Sequence, residues 1–134
     1  VQFSGSISFQ TSTTLTQSTG SAFAVYVFNS SGSLITAFKD GVENSNTGVY
    51  GLNDIISDNN GTFIIGTYSN SILFNGSTTL SQTGGNIYLA KYTFASGSFS
   101  FQSAVSSTGN AWSIAGNKIL TLDGSNLILS SNVG

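Results

Sequence analysis

The sequence has no cysteine, proline, methionine, histidine or arginine among its 134 residues. Each absence closes off a class of chemistry or structure. Without cysteine there is no disulfide and no thiolate metal site. Without histidine as well, the usual triads and cysteine nucleophiles are excluded. The only cations are Lys39, Lys91 and Lys118. That is too few to neutralise a run of phosphates, which excludes nucleic acid as a partner and disfavours anionic membrane surfaces. No apolar run approaches the roughly 20 residues of a membrane span. Methionine is missing even from position 1, so the expectation is a chain that starts after a processing site or an excerpt from a longer polypeptide.

Charge is scarce too. Charged residues are 6% of the chain and the net charge is −2, where about a quarter of residues is usual. Serine and threonine together reach about 30%, far above ordinary usage. Solubility must then rest on hydroxyls, amides and attached sugar. This bias points to an extracellular or cell-surface protein. Asn29-Ser-Ser, Asn60-Gly-Thr and Asn75-Gly-Ser match the N-glycosylation acceptor pattern, which makes Asn29, Asn60 and Asn75 the candidate glycan sites of a glycoprotein.

What the chain does have is an internal repeat. Phe9 and Phe74 stand 65 positions apart, and the same offset pairs Ser12-Thr-Thr-Leu15 with Ser77-Thr-Thr-Leu80. It also pairs Gln17 with Gln82, Gly20 with Gly85 and Ser31-Gly-Ser33 with Ser96-Gly-Ser98. Phe3 to Ala37 aligns with Tyr68 to Gln102 without a gap, with 13 of 35 positions identical. Asp58 and Asp123 share the offset, each closing an apolar segment before a turn. The domain reading is a single β-repeat region over 1–134, with copy 1 at about 3–67 and copy 2 at about 68–132.

Short apolar or alternating runs bounded by Gly, Asn, Asp and Ser make the whole chain β. Strands are predicted near 6–9, 13–16, 22–28, 34–38, 50–57, 62–68, 71–74, 86–93, 98–105, 112–115, 118–122 and 127–131. Asn60-Gly61 and Asn75-Gly76 suit tight hairpins because both residue types tolerate positive φ. Residues 39–48, the most polar loop, are expected to be solvated, Asp40 and Glu43 included. A 65-residue unit thus holds about four main strands and a small extra hairpin. Such a sheet cannot cover both faces alone, and stacking neighbours radially would bury them.

The run from Asp54 to Phe99 resembles the bacterial seven-bladed β-propeller repeats of large secreted and surface proteins. The matching pieces are Asp58-Asn-Asn-Gly61, Gly66-Thr-Tyr-Ser69, Phe74-Asn-Gly-Ser-Thr-Thr-Leu80, Gly84-Gly85, Ile87-Tyr-Leu-Ala-Lys-Tyr92 and Ala95-Ser-Gly-Ser98. The first copy matches less well, since Ala24-Val-Tyr-Val-Phe28 lacks the lysine, and Gly116 to Gly134 matches loosely. The resemblance implies an all-β fold of two propeller-like, four-stranded antiparallel blades. It also implies a mainly non-catalytic repeat module. Two blades do not close a propeller, so further blades or partner chains would have to complete it.

The chemical inventory is thin. Asp54 and Asp58 share a strand face and could in principle serve glycoside hydrolysis, but the recurrence of Asp58 as Asp123 favours a turn role. Lys91 lies in an alternating strand and reads as a solvated outer-face lysine. Phe9, Phe63, Phe74, Tyr88 and Phe101 read as core between sheets. Trp112 and Tyr50 are the candidate ligand-facing aromatics, since exposed rings beside amides and hydroxyls stack on sugars. No cofactor, metal site or enzymatic activity is expected. The expected role is a structural or adhesive module of a surface or secreted protein. Its partners would be copies of itself, or adjacent blades, reached through strand edges. The alternatives are a filament or sheath subunit joined by strand donation from "VQFSGSISF" or "NLILSSNVG", and a lectin-like propeller that binds glycans.

Overall fold

The computed structural model describes residues 1–9, 13–43, 51–81, 86–107, 120–124 and 126–129. Among them the structure is all-β, with eleven strands and no helix. They are β1 (Gln2–Phe9), β2 (Thr13–Phe28), β3 (Leu34–Glu43), β4 (Gly51–Asp58), β5 (Gly61–Tyr68), β6 (Ser71–Phe74), β7 (Thr78–Ser81), β8 (Asn86–Ala95), β9 (Ser98–Ser106), β10 (Leu120–Asp123) and β11 (Asn126–Leu129). All pairings are antiparallel. Sheet 1 runs β1-β2-β3-β6-β7, sheet 2 runs β4-β5-β8-β9, and β10-β11 stands as a separate hairpin. Within sheet 1, β3 and β6 are joined by one residue pair, Val42 with Leu73. The segments predicted at 13–16 and 22–28 form one strand, β2.

Backbone pairing repeats at the offset seen in the sequence. Ser6↔Thr16, Ile7↔Leu15, Ser8↔Thr14 and Phe9↔Thr13 in β1–β2 become Ser71↔Ser81, Ile72↔Leu80, Leu73↔Thr79 and Phe74↔Thr78 in β6–β7. Ile55↔Ile64 through Asp58↔Gly61 in β4–β5 become Leu120↔Leu129 through Asp123↔Asn126 in β10–β11. The four-stranded sheet therefore spans Gly51–Ser106 and straddles position 67/68. At Asn75-Gly76 both residues hold positive φ, 49° and 63°, as a primed turn requires. In β4–β5 the turn is centred one residue earlier, on Asn59-Asn60, with Gly61 already paired to Asp58.

Packing follows from which face each strand turns to its neighbour. The run Thr62-Phe-Ile-Ile-Gly-Thr-Tyr68 barely alternates in polarity, as expected of a strand covered on both sides, and β5 is buried almost throughout. On one face of sheet 2, Ile64, Tyr68, Tyr88 and Tyr92 meet Phe23 and Val25 of sheet 1 and Ile72 and Phe74 of the β6–β7 hairpin. On the other, Ile65, Ile87 and Leu89 meet Leu120 and Leu127. A third cluster, with Phe3, Ala22, Ala24 and Tyr26, covers the outer face of sheet 1.

The two contacts of sheet 2 differ in kind. Ile55 and its counterpart Leu120 share an orientation: each pairs across its own hairpin, and Ile55 lies on the sheet-1 side while Leu120 lies on the sheet-2 side. Phe23 and its counterpart Tyr88 instead face each other, stacked at 6.4 Å and 15°. Sheets 1 and 2 thus meet through equivalent faces. The physical reason lies in the register. The ladder slips by three residues at Phe3/Gly5 and by one at Ser21/Phe23, and a slip by an odd number exchanges the faces of everything beyond it.

Candidate functional site

Charged side chains come first, because a site with chemistry would need them. Asp40 is buried, against the expectation of a solvated loop, because β3 runs on through Glu43 and carries it inward. Its carboxylate accepts from Gly41 N at 2.9 Å, Asn75 N at 2.8 Å and Tyr92 Oη at 2.8 Å. Glu43 is buried as well and accepts from Ser69 N at 3.0 Å and Ser69 Oγ at 2.8 Å. These acids fasten β3 to the β6–β7 turn, to β8 of sheet 2 and to Ser69 just after β5. Alternation along Leu34, Thr36, Phe38 and Asp40 was the signal that could have placed Asp40 inward.

Asp54 and Asp58 likewise serve the backbone. Asp58 accepts from Asn60 N at 2.8 Å and Asn60 Nδ2 at 2.9 Å, which is turn chemistry. Asp54 accepts from Ile55 N at 2.8 Å and, across sheets, from Leu120 N at 2.9 Å. Replacing Asp54 with alanine is expected to loosen the β10–β11 hairpin by about 1.5–3 kcal/mol, the usual range for a hydrogen bond to a charged group. Hydrogen exchange would show faster exchange at Leu120–Leu129 with β5 and β8 unchanged, and equal loss everywhere would contradict it.

Lys91 is partly buried, with Nζ 5.3 Å from the Phe63 ring centroid, so its charge rests on an aromatic face rather than only in water. Lys39 donates to Gln17 Oε1 at 3.0 Å and to the Thr16 carbonyl. Burial pushes the Tyr26 phenol above its ordinary range, and its hydroxyl donates to Ile7 O at 3.4 Å. Among the described residues no three His, Cys, Asp or Glu side chains gather in a metal-binding group. None of their helices is long and apolar enough to cross a membrane, since there are none.

Two of the concavities among the described residues are lined largely by aromatic and aliphatic side chains. One, of about 380 Å³, is lined by Phe38, Lys39, Asp40, Tyr92, Phe99 and Phe101, and both of its charges are engaged by the chain itself. The other, of about 300 Å³, runs beside the outer edge of β2 between Val1, Phe9, Tyr26, Phe28, Leu52 and Ile55, with no charged side chain in its lining. Phe9, expected in the core, sits here at 42% exposure, 4.7 Å from the Tyr26 ring and 6.0 Å from that of Phe28. Phe74 and Tyr88 are buried, and Phe63 and Phe101 pack against the clusters.

The candidate aromatics Tyr50 and Trp112 lie outside the described residues. The three candidate glycan sites are exposed but differ in geometry. Asn29 Oδ1 accepts from Ser31 N at 3.0 Å, Ser31 Oγ at 2.7 Å and Ser33 N at 2.9 Å, and none of these bonds uses Nδ2. Asn60 Nδ2 is held by Asp58. Asn75 sits at φ 49° in a tight turn, its N–H held by Asp40.

Comparison with protein-family models, curated proteins and solved structures returns no match. The functional argument therefore rests on the chain's own geometry.

Proposed function

We propose that this chain is a non-enzymatic extracellular β-repeat module with a structural or adhesive role, associating through its sheet edges. The observation that carries this reading is what recurs at the 65-residue offset and what does not. Strand pairings recur residue for residue in two separate hairpin types. Three carboxylates do not: Asp40, Glu43 and Asp54 have Val105, Thr108 and Ile119 as counterparts, and the one that recurs, Asp58 as Asp123, stands at a turn. The repeated design is a framework, whereas a repeated binding or catalytic site would repeat its polar groups. Sheet 2 with the β10–β11 hairpin on its far side supports a blade-like arrangement. The like-to-like contact of Phe23 and Tyr88 is a feature that a regular propeller does not share.

Sedimentation equilibrium over a wide concentration range, run beside a glycan array, tests the reading. Reversible growth in mass without glycan binding is expected. A strict monomer at all concentrations, or reproducible glycan binding that is lost on Phe38→Ala, would overturn it. Secretion through a eukaryotic pathway gives a further expected result. Because Asn29 presents an unengaged Nδ2, a glycosidase-sensitive mass increment should vanish in Asn29→Gln and persist in Asn60→Gln.

A further inference from the structure

Asparagine precedes glycine twice in the sequence, at Asn60-Gly61 and Asn75-Gly76. A hydroxyl residue follows each pair, Thr62 and Ser77, so the two local sequences are close equivalents. An asparagine in this setting can react with its own chain. The backbone nitrogen of the next residue attacks the side-chain carbon Cγ, and glycine there has no Cβ to obstruct the approach. The fold treats the two pairs differently.

Asn60 is held at its side chain and its backbone. Its Nδ2 donates to Asp58 Oδ2 at 2.9 Å and its N to Asp58 Oδ1 at 2.8 Å. Gly61 is buried and already lies in the ladder opposite Asp58. A Cβ on Gly61 would stand 2.7 Å from Tyr92 O and 3.1 Å from Lys91 Cε, so its surroundings are closed. Asn75 and Gly76 are exposed. The Asn75 N–H donates to Asp40 at 2.8 Å. Among the described residues, neither the Asn75 carboxamide nor the Gly76 N–H has a hydrogen-bond partner. Around Gly76 nothing lies within 4 Å of the Cβ position.

We propose that Asn75 is a modification site, where the folded chain deamidates itself while Asn60 is spared. Gly76 N loses its proton to solvent and bonds to Asn75 Cγ. The Cγ–Nδ2 bond breaks, and Nδ2 leaves as ammonia with a proton from solvent. The product is a cyclic imide. Water opens it at either carbonyl, giving aspartate or isoaspartate, whose main chain runs through Cβ. Nothing is oxidised or reduced.

Both products place a carboxylate on the residue whose N–H Asp40 holds. Asp40 is itself a buried carboxylate, accepting also from Gly41 N and Tyr92 Oη, and like charges at that range repel. Isoaspartate also lengthens the main chain between Phe74 and Thr78, the pair that closes the turn together with the 3.0 Å bond from Ser77 N to Phe74 O. β6 shares one ladder pair with β3, Val42 with Leu73, so the bond to Asp40 is a large part of what holds the hairpin there. Deamidation therefore loosens β6–β7 from β3. The change is one-way and accumulates with the age of the molecule.

Both asparagines are followed in one sample. The full chain is kept folded in mildly alkaline buffer and then fragmented, and mass spectrometry locates the gain from replacing NH2 by OH. A parallel sample in concentrated urea gives the rates without the fold, where the two sites should react alike. In the folded chain Asn75 should lead Asn60 by about tenfold or more, the factor that one hydrogen bond to a charged group is worth. Equal rates in the folded chain, a lead for Asn60, or reaction at neither site while the urea sample reacts at both would overturn the proposal. Asn75→Asp supplies the charge at once. Hydrogen exchange at residues 72–74 and 78–80 should quicken in that variant, with β5 and β8 unchanged. Exchange as slow as in the unsubstituted hairpin would overturn the loosening.

Discussion

Gly66→Ala is expected to leave little folded protein. Gly66 lies in the middle of β5, opposite Leu52 on one side and Tyr88 on the other. A Cβ there would stand 2.1 Å from Gly51 O, 2.5 Å from Tyr88 Oη and 2.6 Å from Tyr88 Cζ. Neither neighbour can yield cheaply. The carbonyl is backbone, and the ring is fully buried against Phe23 and Phe74. Overpacking by one methyl costs about 1–3 kcal/mol where side chains can shift, and a backbone clash inside a central strand should reach or exceed the top of that range. Gly97→Ala is the control. It has open space around it but φ of 78°, so only the dihedral penalty applies, about 1 kcal/mol. Urea midpoints for the two variants should differ widely. Similar midpoints would show that β5 tolerates a side chain at Gly66 and that the described packing is too tight.

Asp40→Ala is expected to be nearly as damaging, for a different reason. The carboxylate is the acceptor for donors from three places: its own strand, the β6–β7 turn and β8. Where β3 and β6 share a single ladder pair, this side chain supplies the connection that backbone bonding does not. Its removal leaves Tyr92 Oη and the Asn75 N–H without that acceptor. At about 1–3 kcal/mol per buried polar group left unsatisfied, the loss should be about 3 kcal/mol. Tyr92→Phe removes one donor and should cost about 1 kcal/mol. The double variant should then cost less than the sum, since both substitutions remove the same bond. Strict additivity in the denaturation midpoints would mean that the Tyr92–Asp40 contact contributes nothing in solution.

The contrast between these two positions shows what the sequence conveyed. The period of 65 carried the pairing scheme, because identical runs of alternation and identical turn residues impose identical register on each copy. Asn75-Gly76 announced its turn through residue types that accept positive φ. The polar character of residues 39–48 points to solvated acids, yet Asp40 and Glu43 are buried. Burial there was decided by partners from distant strands, Tyr92 and Ser69, which no local pattern reveals. The meeting of Phe23 with Tyr88 was equally hidden. Equivalent residues in a repeat are expected to look the same way, and a single extra residue at a bulge reverses that without altering composition or periodicity.

The placement of Lys91 has a consequence for proteolysis. An enzyme that cuts after lysine has three sites in the chain. Lys39 lies in β3, while Lys91 lies in β8 with Phe63 opposite it on one side and Ser103 on the other. A protease cleft must take several residues of unpaired, extended backbone, which β8 offers only when both neighbouring strands separate. Scission at Lys91 therefore records the opening of the whole of sheet 2. Its rate under native conditions follows the population of the open chain, provided reclosing outpaces cutting.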